Sequence, residues 1–327
     1  MGAKLAVVIH AEEEFDWDGG FFRSNSDVTH HVELINLIQA MMHLGAHVTL
    51  AMDYPFVTSA GGQQVIRYCK EQSEGIIEFA SHLHPWVNPP FDEPVQGDEI
   101  SNQYSYPGNL SYELEYKKLQ VLTNKIEEVT GHRPVTYLAG RYGIGANTQD
   151  ILSALGYKVD LSISAFSNFS HQQGPDFSQY NNALFFQNNI TYLPHTCCRI
   201  ARFRWLSHWL QNHPSSLNGR GVMSRIVRKL LGIVTYRLSP EGANLDELIR
   251  AASHQIAMGY EHMVLSFHSP SAKQGKTPYV HTHEDKLRFD SVTLEFIEWF
   301  MRQPDAEMYT PSQLSNPVLT TLEEQHV

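Results

Sequence analysis

The chain alternates short apolar runs with longer stretches of helical periodicity. Residues 5–9 form a compact apolar run of strand length. Over residues 28–44, Val28, Leu34, Ile35, Ile38, Met41 and Met42 recur at helical spacing, and Gly45 supplies a stop. Residues 47–52 read as a second strand and 63–72 as a second helix. A third strand at 76–79 runs into His82-Leu83-His84-Pro85-Trp86, and a proline-rich loop then leads to a helix at about 111–129. Residues 135–138, 159–163, 191–193 and 263–267 read as further strands, and 245–258 and 284–301 as late helices. Alternation repeated this often implies a parallel sheet, and a closed barrel is as natural an outcome as an open one. The stretch at about 200–241 breaks the pattern with two tryptophans, a basic patch and Gly/Ser turns. It is expected to be an insertion on one domain spanning 1–327.

Composition narrows the classes. At 327 residues, 42% hydrophobic and 18% charged, the chain can bury a sizeable core, which excludes a disordered or fibrous protein. The net charge of -11 is spread along the chain and argues against coating nucleic acid or an anionic membrane. The basic stretch from Arg225 to Lys229 is expected to be a solvated helix face. Cys69, Cys197 and Cys198 are the only cysteines, with no CxxC spacing, which suits a reducing compartment. The N-terminal apolar run is too short for a signal peptide, and no stretch approaches the roughly 18 apolar residues of a membrane span. A cytoplasmic protein with no membrane span and no nucleic-acid partner is the expectation.

In parallel α/β folds, functional groups gather at the C-terminal ends of strands. His10 and Glu12 follow the first strand, His82 and His84 the third, Arg141 the fourth and His268 the last. Residues i and i+2 of an extended segment share a face, so His82 and His84 can converge on one ion, and neutral imidazole is a common ligand. Glu12 can complete a His-His-carboxylate set with open positions, as in hydrolytic metal centres. The adjacent Glu13, Glu14, Asp16 and Asp18 compete for that role. His268 precedes a Ser/Pro turn, a setting that suits a general acid or base. Arg141 can hold an anionic group, whereas GRYGIG around it lacks both the Walker lysine and the GxGxxG spacing. Two opposed carboxylates for glycoside hydrolysis are not evident.

Six ordered stretches carry a resemblance: EEEFDW at 12–17, SHLHPWVNPPF at 81–91, YPGNL at 106–110, LAGRYGIG at 138–145, GPDF at 174–177 and SFHSPS at 266–271. Together they resemble the NodB-homology polysaccharide deacetylases (carbohydrate esterase family 4), in particular a WalW-like branch. The resemblance implies a distorted (β/α) barrel and a metal-dependent hydrolase. Its substrate would be an N-acylated carbohydrate, losing an N-acetyl or other acyl group from an amino sugar of a cell-surface polysaccharide or its precursor. Carried over by position, Glu12, His82 and His84 bind a divalent ion, zinc in the first instance, and His268 protonates the leaving amine. Two positions depart from the family pattern. His10 stands where the aspartate that activates the attacking water belongs, and Leu138 where its arginine partner would align, with Arg141 as a shifted substitute. Either His10 serves as base or further ligand, or the chain is an impaired homologue that binds a glycan or partner protein.

Overall fold

The computed structural model describes residues 2–73, 75–217 and 222–315. Seven strands, β1 (Lys4–Ala11), β2 (Val48–Met52), β3 (Ile77–Leu83), β4 (Thr136–Ala139), β5 (Val159–Asp160), β6 (Ile190–Tyr192) and β7 (His262–His268), pair in parallel. Their spatial order is β7-β1-β2-β3-β4-β5-β6. In β1, Ala6 and Val8 face a small inner core, while Leu5, Val7 and Ile9 join the outer core against the helices. Burial on both faces is why this strand reads as one unbroken apolar run.

The barrel is distorted at one seam. No direct pairing joins β6 to β7 among the described residues; single residues bridge them instead. Leu238 N–H donates to Thr196 O (3.0 Å), Ser266 N–H to Leu238 O (3.1 Å), and Val264 N–H to the Thr196 hydroxyl (2.9 Å). The N-terminal end of the barrel is plugged by the segment after Glu307–Met308, where Tyr309 and Leu314 enter the inner core. Ser312 N–H there donates to buried Glu78 (3.0 Å).

The helices around the sheet are α1 (His31–His43), α2 (Ala60–Lys70), α3 (Tyr112–Thr130), α4 (Thr148–Leu155), α5 (Arg204–Asn212), α6 (Val222–Leu230), α7 (Leu245–Ala257) and α8 (His283–Met301). Two differ from the periodicity. α1 starts at His31, with Val28 packing into the core ahead of it. α2 starts at Ala60, through two glycines that disfavour a helix. Gly62 is required there: a Cβ would stand 1.8 Å from Phe56 O, in the short helix Tyr54–Thr58 that crosses it. α4 has no counterpart in the sequence pattern described above.

Cys197–Ile200 and Val234–Arg237 pair as a separate antiparallel ribbon carrying α5 and α6, with Ala201, Leu206 and Leu210 as its small core. The expected single domain also covers 218–221 and 316–327, which lie outside the described residues. Among the described residues no helix is long and apolar enough to cross a membrane.

A buried acid offers a test of the packing between α3 and α4. Glu115 is 1% exposed and accepts a hydrogen bond from Thr148 Oγ1 (2.6 Å); burial pushes its carboxyl up to about 7. A carboxyl raised above its unfolded value stabilises the fold at low pH, and that contribution is lost as pH rises through about 7. Glu115→Gln keeps an acceptor for Thr148. It should therefore raise Tm by several degrees at pH ~8 and lose that advantage near pH ~5, as calorimetry at the two pH values would read.

Candidate metal centre

The inward alternation that places Ala6 and Val8 in the barrel continues upward to His10 and Glu12 at its C-terminal mouth. On β3 the series is Ala80, His82 and His84, so both imidazoles follow an inner-core alanine. Glu12 Oε2 lies 3.4 Å from His82 Nε2 and 3.6 Å from His84 Nε2. These separations exceed a good hydrogen bond of about 2.9 Å. They match the ~3.4 Å expected between donors bonded at ~2.1 Å to one tetrahedral ion. The three residues are 2–5% exposed. The donor set fits a divalent ion.

Each ligand is oriented from behind. His82 Nδ1–H donates to Leu138 O (3.0 Å) and His84 Nδ1–H to Glu13 Oε2 (2.8 Å), leaving both Nε2 lone pairs toward Glu12. Glu13 also accepts from Trp86 Nε1 (2.8 Å), and its own N–H donates to Asp53 (2.9 Å). Glu12 N–H donates to Ser269 Oγ (3.1 Å), whose hydroxyl meets His30 Nε2 at 2.8 Å. Burial lowers both ligand imidazoles below their ordinary value and keeps them neutral. Burial pushes the Glu12 carboxyl up, but charge at His268 and contacts with His82 and His84 outweigh it, leaving the group below its usual value. Behind the ligands, burial raises Glu13 to about 7 and raises Asp53 well above its ordinary value. Of the other acids near Glu12, Glu14 pairs with Lys276, Thr29 and His30, and Asp16 caps a turn at Asp18 and Gly19.

His268 stands at the end of β7, directly beside β1 and in register with His10. Its Nδ1–H donates to Glu241 Oε2 (2.8 Å), and its backbone N–H to Glu241 Oε1 (3.1 Å). Burial opposes the charge, but Glu241 and Glu12 overcome it and lift the imidazolium to about 9. His10 sits between, its ring 4.8 Å from His268, 5.1 Å from His82 and 5.4 Å from His195. Its Nε2 is buried without a hydrogen-bond partner, and burial followed by the neighbouring histidines lowers it far below its ordinary value. His10 is therefore neutral.

Arg141 is not drawn to His10. Its guanidinium stacks on Tyr106 (4.0 Å) and Phe21 (4.5 Å) and donates to the neutral acceptors Asn102, Ser105 and Gln172. Arg141 and Tyr142 both adopt left-handed backbone (φ 56° and 58°), a conformation that costs non-glycine residues free energy and occurs here beside the cleft. Gly140 before them is obligatory: a Cβ would stand 2.4 Å from Leu83 O and 2.7 Å from the His84 ring. Leu138 packs in the inner core with Ala6, Val8 and Val264.

Three groups of the site escape the sequence pattern. His195 follows β6 at the same strand-end position as the others, and that placement was its signal. Glu241 and Asp53 had none, because their partners are set by tertiary contact. Trp17, Tyr142 and Tyr279 line the cleft, which encloses about 990 Å³.

No protein-family model matches the sequence, and no curated protein matches it. Solved structures do. A Mycobacterium smegmatis protein described as a polysaccharide deacetylase aligns over 98% of this chain and 92% of its own, at 15% identity and TM-score 0.54. A Pseudomonas aeruginosa PAO1 protein with the same description aligns over 96% and 89%, at 12% identity and TM-score 0.53. What is shared is the fold. The chain has the (β/α) barrel seen in polysaccharide deacetylases. The 4-alpha-glucanotransferase of Thermococcus litoralis also shares it, over 96% of this chain and 40% of that one (10% identity, TM-score 0.53). The barrel therefore accommodates more than one chemistry.

The triad predicts uptake of about one divalent ion per chain, zinc first, with a fall in Tm on chelation. His82→Ala or His84→Ala should abolish uptake in calorimetric titration. Glu13→Gln should weaken it roughly 10–100-fold by freeing the His84 ring. Unchanged metal content in both histidine variants would remove the triad as the site.

Proposed function

We propose that this protein is a metal-dependent deacylase that removes an N-acetyl or related acyl group from an amino sugar of a cell-surface polysaccharide or its precursor. The observation that carries this reading is the pairing of a three-donor set, Glu12, His82 and His84, with a His268 held by Glu241 at the same mouth. When bound, a divalent ion supplies Lewis-acid activation of water and of an acyl carbonyl. The chain's own groups supply the rest. His268, held by Glu241, carries a proton on the strand beside that of Glu12 and can deliver it to a leaving amine. His10, neutral and with an unpartnered Nε2, is placed to accept a proton from water. Trp17, Tyr142 and Tyr279 offer flat apolar faces to a sugar ring. The HLHP form of the ligand pair supports the WalW-like branch, and the solved deacetylases of the same fold support the substrate class.

One observation favours a second reading. His10 and Leu138 together replace a charge pair with a neutral imidazole and an apolar side chain, so the chain can also be an impaired homologue that retains the cleft to bind a glycan.

Release of free amine from N-acetylated oligosaccharides by zinc-loaded protein separates the two. We expect turnover, with His268→Ala lowering kcat by about 10²–10⁴ and His10→Ala lowering it comparably while metal uptake persists. Wild type and His10→Ala turning over equally would refute the role of His10. Metal-loaded wild type without turnover, with activity appearing in the His10→Asp, Leu138→Arg double variant, would establish the second reading.

A further inference from the structure

The inserted lobe is unlike the rest of the molecule. Residues 197–237, which form it, contain eight Arg or Lys and no Asp or Glu, in a chain of net charge -11. Its helices also turn apolar side chains the wrong way for an ordinary surface helix. On α6, at 100° per residue, Val222, Met223, Ile226 and Leu230 fall on one arc and Ser224, Arg225, Arg228 and Lys229 on the other. Met223 is 72% and Leu230 75% exposed, and α6 has no buried residue. On the neighbouring helix Trp205 is 69% exposed, with Trp209 and Phe203 exposed beside it. The lobe's own core is made by Ala201, Leu206 and Leu210, so these outward groups are not needed to hold it together.

We propose that this lobe docks the protein peripherally on an anionic lipid bilayer. Short helices with a basic arc, an aliphatic arc and flanking tryptophans match the chemistry of the headgroup layer, where apolar groups enter and Lys and Arg meet lipid phosphate. A second copy of the chain would bring two acid-free basic faces together. A glycan would stack on the tryptophans but gain little from Val222, Met223, Ile226 and Leu230. The return strand Val234–Arg237 lines the cleft, and the chain then reaches Glu241, which holds His268. Docking would thus set the cleft mouth beside the membrane surface, where a lipid-carried acylated sugar would present itself; that last step rests on the deacylase reading, whereas docking does not.

Flotation of the full-length chain with phosphatidylcholine vesicles, with and without phosphatidylglycerol, tests this apart from catalysis. Wild type should float with the anionic vesicles at least about tenfold more strongly than with the neutral ones, should be released by high salt, and should show blue-shifted tryptophan emission. The Trp205→Asp, Met223→Asp, Leu230→Asp triple variant should lose binding by at least about tenfold, with Tm and metal uptake unchanged. Arg225→Glu with Lys229→Glu should lose the preference for anionic lipid. The proposal is overturned if wild type stays unbound on anionic vesicles at low salt, or if both variants bind like wild type. It is equally overturned if this face instead binds DNA or an anionic glycan, or forms a dimer, while vesicles are ignored.

Discussion

The buried Glu12 carboxylate is the constraint around which the mouth of the barrel is arranged. At 3% exposure it has almost no water to solvate it, and an isolated buried charge is too costly to keep. Opposite charge has to come from the surrounding groups. His82 and His84 cannot carry it readily, because burial depresses both imidazoles. His268 can, since Glu241 holds its proton from the far side. A divalent ion between Glu12 and the two histidines would satisfy the remainder, and the donor spacing is that of such an ion. The groups behind the ligands follow the same logic. Burial raises Glu13 and Asp53, which keeps surplus negative charge away from the site while Glu13 still orients His84.

The barrel beneath the site is neutral where it meets the mouth. A buried ion pair can be exchanged for neutral groups at little cost, but removal of one partner alone is penalised heavily. Leu138 lies within the inner core, and His10 stands above it as a neutral ring edge-on to His82, His195 and His268. Neither residue strands a charge in the interior. Arg141, three residues beyond Leu138, has been drawn into the cleft wall, where it ties the loops around Asn102, Ser105 and Gln172. It takes no part in the electrostatics of His10.

Charge is distributed by region in this molecule, and the total conceals that. The net -11 of the whole chain misdescribes the inserted lobe, where residues 197–237 carry eight Arg or Lys and no acid at all. The lobe is joined to the cleft through Val234–Arg237 and Glu241. Whatever occupies its outer face is therefore mechanically close to the residue that fixes the His268 proton.

How much of this is legible in the sequence follows from the period of a strand. Alternation by two residues is local, so the HAE and HLH patterns alone put His10 with Glu12, and His82 with His84, on a shared face at a strand end. Repeated strand-helix alternation likewise implies a parallel sheet, without choosing between a barrel and an open sheet. Local pattern does not reach the glycine-bearing start of α2, which exists because the helix Tyr54–Thr58 crosses closely over Gly62. Nor does it single out Glu13 among four neighbouring acids, join Glu241 to His268, or turn Arg141 toward Tyr106. Sequence determined which side chains share a face at each strand end, because that is a property of one strand. Only the tertiary structure decided which of them are neutral, charged or held from behind, because that depends on register between strands and on burial, with partners such as Glu13 and His84 lying 71 residues apart.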